Sequence, residues 1–156
     1  MTSVSAQGNL LASGSYDETV QLWNMQTNRK VQQFQHEDDV MCVQLHDNLV
    51  ISSSMDKSVK IWDVSTGNVH QNLSHSNVCY NFDLNPDKTV LAVACATAVV
   101  LWDFKKAKMI KEFSLEKTIV DVRFNPAGDK LVAGSVNGSV FKIGLQFDSN
   151  NGGKTA

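Results

Sequence analysis

A string of eight residues recurs along this chain at a nearly fixed interval. It reads Asp17-Glu18-Thr19-Val20-Gln21-Leu22-Trp23-Asn24 and then Asp56-Lys57-Ser58-Val59-Lys60-Ile61-Trp62-Asp63. A third copy, Ala96-Thr97-Ala98-Val99-Val100-Leu101-Trp102-Asp103, keeps the end of the pattern and loses its start. A fourth, Asn137-Gly138-Ser139-Val140-Phe141-Lys142-Ile143-Gly144, has lost the tryptophan. Trp62 follows Trp23 by 39 residues, Trp102 follows Trp62 by 40, and Ile143 lies 41 beyond Trp102. A period of this length makes each repeat one supersecondary unit. Such a unit cannot bury its apolar faces alone and must stack on its neighbours.

Each unit divides into four strands, a to d. In the second unit they are expected at 40–45, 49–54, 59–63 and 69–73, and in the third at 79–84, 90–94, 99–103 and 109–113. Asp56-Lys57 and Thr66-Gly67-Asn68 are tight-turn signals. Asn85-Pro86-Asp87-Lys88 and Asn125-Pro126-Ala127-Gly128 are matching turns between a and b, where proline fixes φ. Strand a alternates with period two: Tyr80, Phe82 and Leu84 interleave with Asn81 and Asp83, the half-buried pattern. Strands b and c are nearly continuous apolar or small runs, such as Val90-Leu91-Ala92-Val93-Ala94, which suit sheets packed on both faces. Gly14, inside strand b, reads as a point of close packing. The fourth unit ends after strand c, so fifteen strands are expected. Residues 146–156 are polar and glycine-rich and are expected to be a disordered tail.

Composition narrows the function classes. The net charge of −2 gives no reason to expect nucleic acid or an anionic membrane. No apolar stretch approaches the roughly 20 residues of a membrane span. The segment Met1-Thr2-Ser3-Val4-Ser5-Ala6 lacks the basic and apolar regions of a signal peptide. Cys42, Cys79 and Cys95 stand at no metal-ligand spacing and read as small core residues in a reducing compartment. His46 and His70 have no ligand partner at helical or loop spacing, so no metal or cofactor is expected. An intracellular protein, cytoplasmic or nuclear, is the reading that follows.

On these repeats the chain resembles the WD-repeat β-propeller family, over residues 1 to about 145. The resemblance implies an all-β fold of four-stranded antiparallel blades, three complete and one lacking its outer strand. The units fall at about 1–35, 36–74, 75–114 and 115–145. It also implies a buried tetrad in each good blade. Its members are a His before strand a, a Ser or Thr in strand b, an Asp in the b–c turn and the strand-c Trp. The second unit fits all four positions with His36, Ser52, Asp56 and Trp62. The first has Ser13, Asp17 and Trp23; the third keeps His75 and Trp102 but has Ala92 and Ala96 elsewhere. The fourth, with Leu115, Ala133, Asn137 and Ile143, has lost the set.

Ser52, His36 and Asp56 are also the residue types of a hydrolytic triad. Their recurrence beside a tryptophan at the repeat period is structural logic, and a triad needs an exposed hydroxyl and an oxyanion hole. The resemblance therefore implies a non-catalytic scaffold that binds a protein or peptide on a blade-loop face. Docking positions carried over from the family include Tyr16, Met41, Met55 and Tyr80, with Asp39 as an acidic neighbour. For Met41 and Tyr80 the competing reading is inner-strand core, since both lie on the apolar phase of strand a. The alternative function is a substrate-receptor module of a ubiquitin-ligase assembly, from a likeness of the second unit to F-box/WD blades. Relatives usually close with seven blades, about 280 residues at 40 per blade. Four units leave open a fragment, an isoform, completion by further blades or self-association.

Overall fold

The computed structural model describes residues 1–145, which form fifteen strands and no helix. The expected tail, 146–156, lies outside the described residues. Blade one holds β1 (Ser3–Gln7), β2 (Leu10–Gly14), β3 (Thr19–Asn24) and β4 (Arg29–Gln35). Blade two holds β5 (Val40–His46), β6 (Leu49–Ser54), β7 (Ser58–Asp63) and β8 (Val69–Ser74). Blade three holds β9 (Cys79–Leu84), β10 (Val90–Cys95), β11 (Ala98–Asp103) and β12 (Lys108–Ser114). Blade four holds β13 (Ile119–Phe124), β14 (Lys130–Ser135) and β15 (Val140–Gly144). Every sheet is an antiparallel meander in chain order, so each blade closes through local hairpins. The strands run up to a residue or so beyond their expected ends.

In blades one, two and three the c–d pairing slips at the tryptophan, between Leu22 and Trp23, Ile61 and Trp62, and Leu101 and Trp102. A bulge there adds local twist and turns the outer strand across the blade.

The chain divides into two compact units, one from Met1 to Cys79 and one from Tyr80 onward. The first holds blades one and two. Their shared core takes Ala12, Val20, Leu22 and Phe34 from one sheet and Val40, Val43, Leu45, Val50 and Trp62 from the other. The second holds blades three and four, β9 beginning one residue before the boundary. There Val90, Ala92, Ala94, Val99 and Leu101 pack on Ile119, Val122, Leu131, Ala133 and Ile143.

Gly14 marks how closely blades one and two approach. A Cβ on it would sit 2.7 Å from Val40 Cγ1 and 2.9 Å from Val43 Cγ1. Both neighbours are stiff at χ1, so the added methyl must push the sheets apart. Gly14→Ala is expected to cost about 1–3 kcal/mol, the usual range for overpacking. The midpoint of denaturant unfolding checks this, and an unchanged midpoint would mean that the interface has slack.

One expectation is corrected. Strand b is buried throughout in β10 but alternates in β14, where Val132 is exposed. Within each unit the polar phase of strand a ties one inner strand to the other. Ser3 and Ser5 hydroxyls accept the amides of Val43 and Leu45 at 3.2 and 3.0 Å. In the second unit Asn81 Nδ2 donates to Asp121 at 2.6 Å, and Asp83 accepts the Phe124 amide at 2.8 Å. Burial raises the Asp83 carboxyl above its usual value, against the opposing pull of the Phe124 amide and Arg123.

Candidate functional site

The most completely bonded cluster sits in blade two. His36 follows directly on β4, the outer strand of blade one, and enters the second sheet. Its Nδ1 lies 2.7 Å from Asp56 Oδ2 and its Nε2 2.7 Å from Ser52 Oγ. Trp62 Nε1 donates to the same Ser52 oxygen at 2.8 Å. With the imidazole proton on Nδ1, one chain of donors satisfies every member: indole to hydroxyl, hydroxyl to Nε2, Nδ1–H to carboxylate. The Trp62 ring stands edge-on to His36 at 5.7 Å and lies 5.1 Å from Phe34. The polar chain is thereby roofed by aromatic rings.

Asp56 is the anchor. Its second oxygen accepts the Ser58 amide at 2.9 Å and the Ser58 hydroxyl at 2.6 Å, and Oδ2 also takes the Glu37 amide at 3.2 Å. Burial alone would raise its carboxyl. The bonds from His36 and Ser58 and the Glu37 amide outweigh this and hold it well below the ordinary carboxylate range. Lys60 Nζ lies 3.7 Å away.

This connectivity is that of a Ser-His-Asp triad, yet it offers a substrate nothing. Ser52 is fully buried and its oxygen is already engaged by the Trp62 indole. A nucleophile needs an exposed hydroxyl beside oxyanion donors.

The other blades vary the pattern. In blade one, Ser13 and Trp23 are half-buried and Asp17 is exposed. Asp17 Oδ1 is fixed by the Thr19 amide at 3.1 Å and its hydroxyl at 2.7 Å. In blade three the strand register corrects the sequence alignment. One residue fewer separates Leu91 from its partner Trp102 than separates Val50 from Trp62. Val93, paired with Val100, therefore stands where Ser52 pairs with Lys60, and Ala92 faces the core shared with blade four. The lost residue comes out of the b–c turn, which Ala96 closes at φ 44°. His75 is half-buried in the first unit and Trp102 half-buried in the second. In blade four Ala133 and Ile143 are core, and Asn137 takes only the turn part, accepting from Ser135 Oγ at 2.6 Å.

The expected docking positions of the first unit gather through main-chain bonds at one end of its blades. Ser15 O, beside Tyr16, accepts the Val40 amide at 3.1 Å, and Asp39 O accepts the Met55 amide at 2.9 Å. Tyr16 is 62% exposed; Asp39, Met41 and Met55 are half-buried. Tyr80, in the second unit, is half-buried at the second position of β9, as Met41 is in β5.

One recurring role escaped the sequence reading. The residue after each tryptophan caps the c–d turn. Asn24 Oδ1 accepts the Gln26 and Thr27 amides, both at 3.0 Å, and Asp63 Oδ1 accepts those of Ser65 and Thr66 at 2.8 and 2.9 Å. Asp103 does the same for Lys105 and Lys106 at 3.1 and 2.9 Å. An amide oxygen serves as well as a carboxylate, which explains Asn24. The recurrence was visible; the acceptor chemistry was its unused clue.

Three stretches of the chain, residues 1–24, 28–63 and 108–141, match the family model described as WD domain, G-beta repeat, and together they take in more than half of it. The chain belongs to the WD-repeat family. The match over 28–63 begins one residue before β4 and ends with β7, so a repeat supplies the outer strand of one blade and the inner three of the next. His36 lies at that junction. The unmatched stretch from 64 to 107 carries Val93 and the shortened turn. No curated protein matches the chain. Among solved structures it is similar to the computationally designed Ika4 protein, with TM-score 0.83 and 22% identity over 92% of this chain and 89% of that one. The computationally designed Ika8 protein gives the same TM-score and identity over 92% of this chain and 45% of its own. Both likenesses concern the fold. WD-repeat proteins in general are non-catalytic scaffolds for protein partners.

Proposed function

We propose that this chain is a non-catalytic interaction scaffold that binds a protein or peptide partner at one loop end of its blades. The supporting observation is the convergence of Tyr16, Asp39, Met41 and Met55 through the Ser15–Val40 and Asp39–Met55 main-chain bonds. A rigid blade end presents an exposed tyrosine, two adaptable thioethers and one carboxylate. Tyrosine is favoured at interface hot spots and methionine at surfaces that must adapt. Tyr80 would serve in the same way on the second unit. The buried Ser52 hydroxyl supports the absence of catalysis. The three cysteines form no disulfide, in keeping with an intracellular protein. No feature of the fold favours the ubiquitin-ligase receptor reading over this general one.

Tyr16→Ala and Met55→Ala test the assignment. Each is expected to change folding stability by no more than about 0.5 kcal/mol, as for surface sites. Each is expected to weaken the partner by more than about 1 kcal/mol. Partner capture followed by calorimetry measures the second quantity, thermal unfolding the first. If both variants unfold, the residues are core. If both fold and bind normally, the partner uses another surface.

A further inference from the structure

Blades one, two and four close strand b on strand c with the same turn. Gly14 pairs with Val20, Ser53 with Val59 and Gly134 with Val140, so residues 15–19, 54–58 and 135–139 are counterparts. Asn137 stands where blades one and two have Asp17 and Asp56, and Gly138 where they have Glu18 and Lys57. The backbone is left-handed at this last place in all three, with φ 68° at Glu18, 67° at Lys57 and 82° at Gly138. Asn137-Gly138 is the one asparagine–glycine pair among the described residues. Every other described asparagine precedes a residue that carries a side chain.

The side-chain carbon Cγ of an asparagine lies within reach of the next backbone nitrogen. A Cβ on that next residue hinders their approach, and glycine has none. The turn adds a second help. Asn137 Oδ1 accepts the Ser135 hydroxyl at 2.6 Å and the Ser139 amide at 3.3 Å. Ser135 Oγ itself accepts the Ser139 amide at 3.1 Å, which strengthens its own donation. Attack on Cγ drives negative charge onto Oδ1, and a donor already aimed at that oxygen stabilises it. The opposing element is the Gly138 amide, which donates to the Ser135 carbonyl at 3.1 Å. Rotation about the Asn137 Cα–C bond frees that nitrogen. The Ser135 hydroxyl, bonded to the side chain, stays on Oδ1 meanwhile.

We propose that Asn137-Gly138 is a self-modification site at which the chain deamidates, with water as the co-reactant. The Gly138 nitrogen loses its proton to solvent base and bonds to Asn137 Cγ. The side-chain nitrogen takes up a proton and leaves as ammonia, which closes a cyclic imide. Water then adds to one imide carbonyl, and the C–N bond of that carbonyl breaks. Breaking the bond to Cγ gives aspartate at position 137 with the backbone restored. Breaking the bond to the backbone carbonyl carbon gives isoaspartate, whose backbone runs through the side chain. Water is consumed, ammonia is released, and nothing is oxidised or reduced. The two products act oppositely. Aspartate matches Asp17 and Asp56, whose Oδ1 atoms hold the Thr19 and Ser58 amides at 3.1 and 2.9 Å, and it tightens the turn. Isoaspartate adds a methylene to a hairpin whose register rests on the bond from the Ser135 amide to the Ser139 carbonyl at 3.0 Å. It loosens β15 from β14 beside the turn, so the site is a one-way clock on blade four.

The test is incubation of the whole chain in water enriched in heavy oxygen. Peptide mapping by mass spectrometry follows, with fragmentation that separates aspartate from isoaspartate. Position 137 is expected to lose its side-chain nitrogen and gain a solvent oxygen, with isoaspartate among the products. The rate should rise from neutral to mildly alkaline pH, because the attacking nitrogen must be deprotonated. Asn151-Gly152, outside the described residues, is a reference pair in the same chain. Gly138→Lys installs the residue type that blade two carries at φ 67°, so the turn can form. Conversion at position 137 should then fall below detection while that at Asn151 is unchanged. Ser135→Ala should slow position 137 by about tenfold, less than the ~10²–10³ that a positioned oxyanion donor supplies in an enzyme, and again leave Asn151 unchanged. Circular dichroism confirms that both variants fold. Four results overturn the proposal. They are no conversion at position 137, a product without solvent oxygen, an unchanged rate in Gly138→Lys, or an unchanged rate in Ser135→Ala.

Discussion

Asp56→Ala is expected to destabilise the first unit by about 1–3 kcal/mol, the cost of leaving a buried donor without an acceptor. His36 is 1% exposed, so water does not replace the carboxylate at its Nδ1. The Ser58 hydroxyl, also buried, loses its acceptor in the same step. Asp17→Ala, the same change in blade one, removes only the Thr19 turn contacts of an exposed side chain and is expected to cost clearly less. Urea unfolding of the two variants measures the difference. Equal losses would mean that the carboxylate matters for the turn and not for the cluster. The pH dependence has a definite sign. The Asp56 carboxyl is depressed in the folded chain, so below about pH 4, the ordinary carboxylate value, the unfolded chain binds more protons. The stability that Asp56 supplies is fully present above that range and is lost as pH falls below it toward the folded value. Asp56→Ala should therefore flatten the acid limb of the stability profile relative to wild type.

Most of the architecture was legible because burial imposes it in the sequence. The tryptophan period gave the blades, and the runs at β6 and β10 gave strands covered on both faces. The blade-two cluster was legible because a buried carboxylate needs donors, and His36, Ser52 and Trp62 are the donor and acceptor types that close the chain. Register in blade three was not legible. Removing one residue from a turn leaves the pattern of apolar residues intact while sliding strand b by one position, which exchanges its faces. In a strand where every residue is apolar, no polar marker reveals the slip, so Ala92 was aligned where Val93 stands. The strand-a staples were hidden for a related reason. Polar residues alternating with apolar ones look solvated, and the amide they meet lies a full repeat away.

Leu101→Ala is expected to have the largest effect on the second unit, about 2–5 kcal/mol, the range for truncating a buried leucine. Blade three has Val93 where blade two has Ser52, and blade four has Ala133 and Ile143 in its core. The second unit therefore holds together by packing and by the Asn81–Asp121 and Asp83–Phe124 bonds, without a counterpart of the Ser52 hydroxyl. Leu101 is 1% exposed and lies in the core where β10 and β11 meet β13. The methylenes lost there cannot be recovered by collapse, because Val90, Ala92 and Ala94 are small and Leu131 and Ile143 are held in their own sheet. Blade four should respond first. It has three strands among the described residues, and its β14 exposes Lys130 and Val132. Few buried contacts make a segment open at low cost. Hydrogen exchange should accordingly quicken most at β13, β14 and β15, and the amides of β6 and β7 in wild type should be the slowest of the chain. If β15 were to exchange as slowly as β7 in the unmodified protein, packing alone would match the bonded cluster in holding a blade closed, and the special role assigned to His36 and Asp56 in local stability would fall.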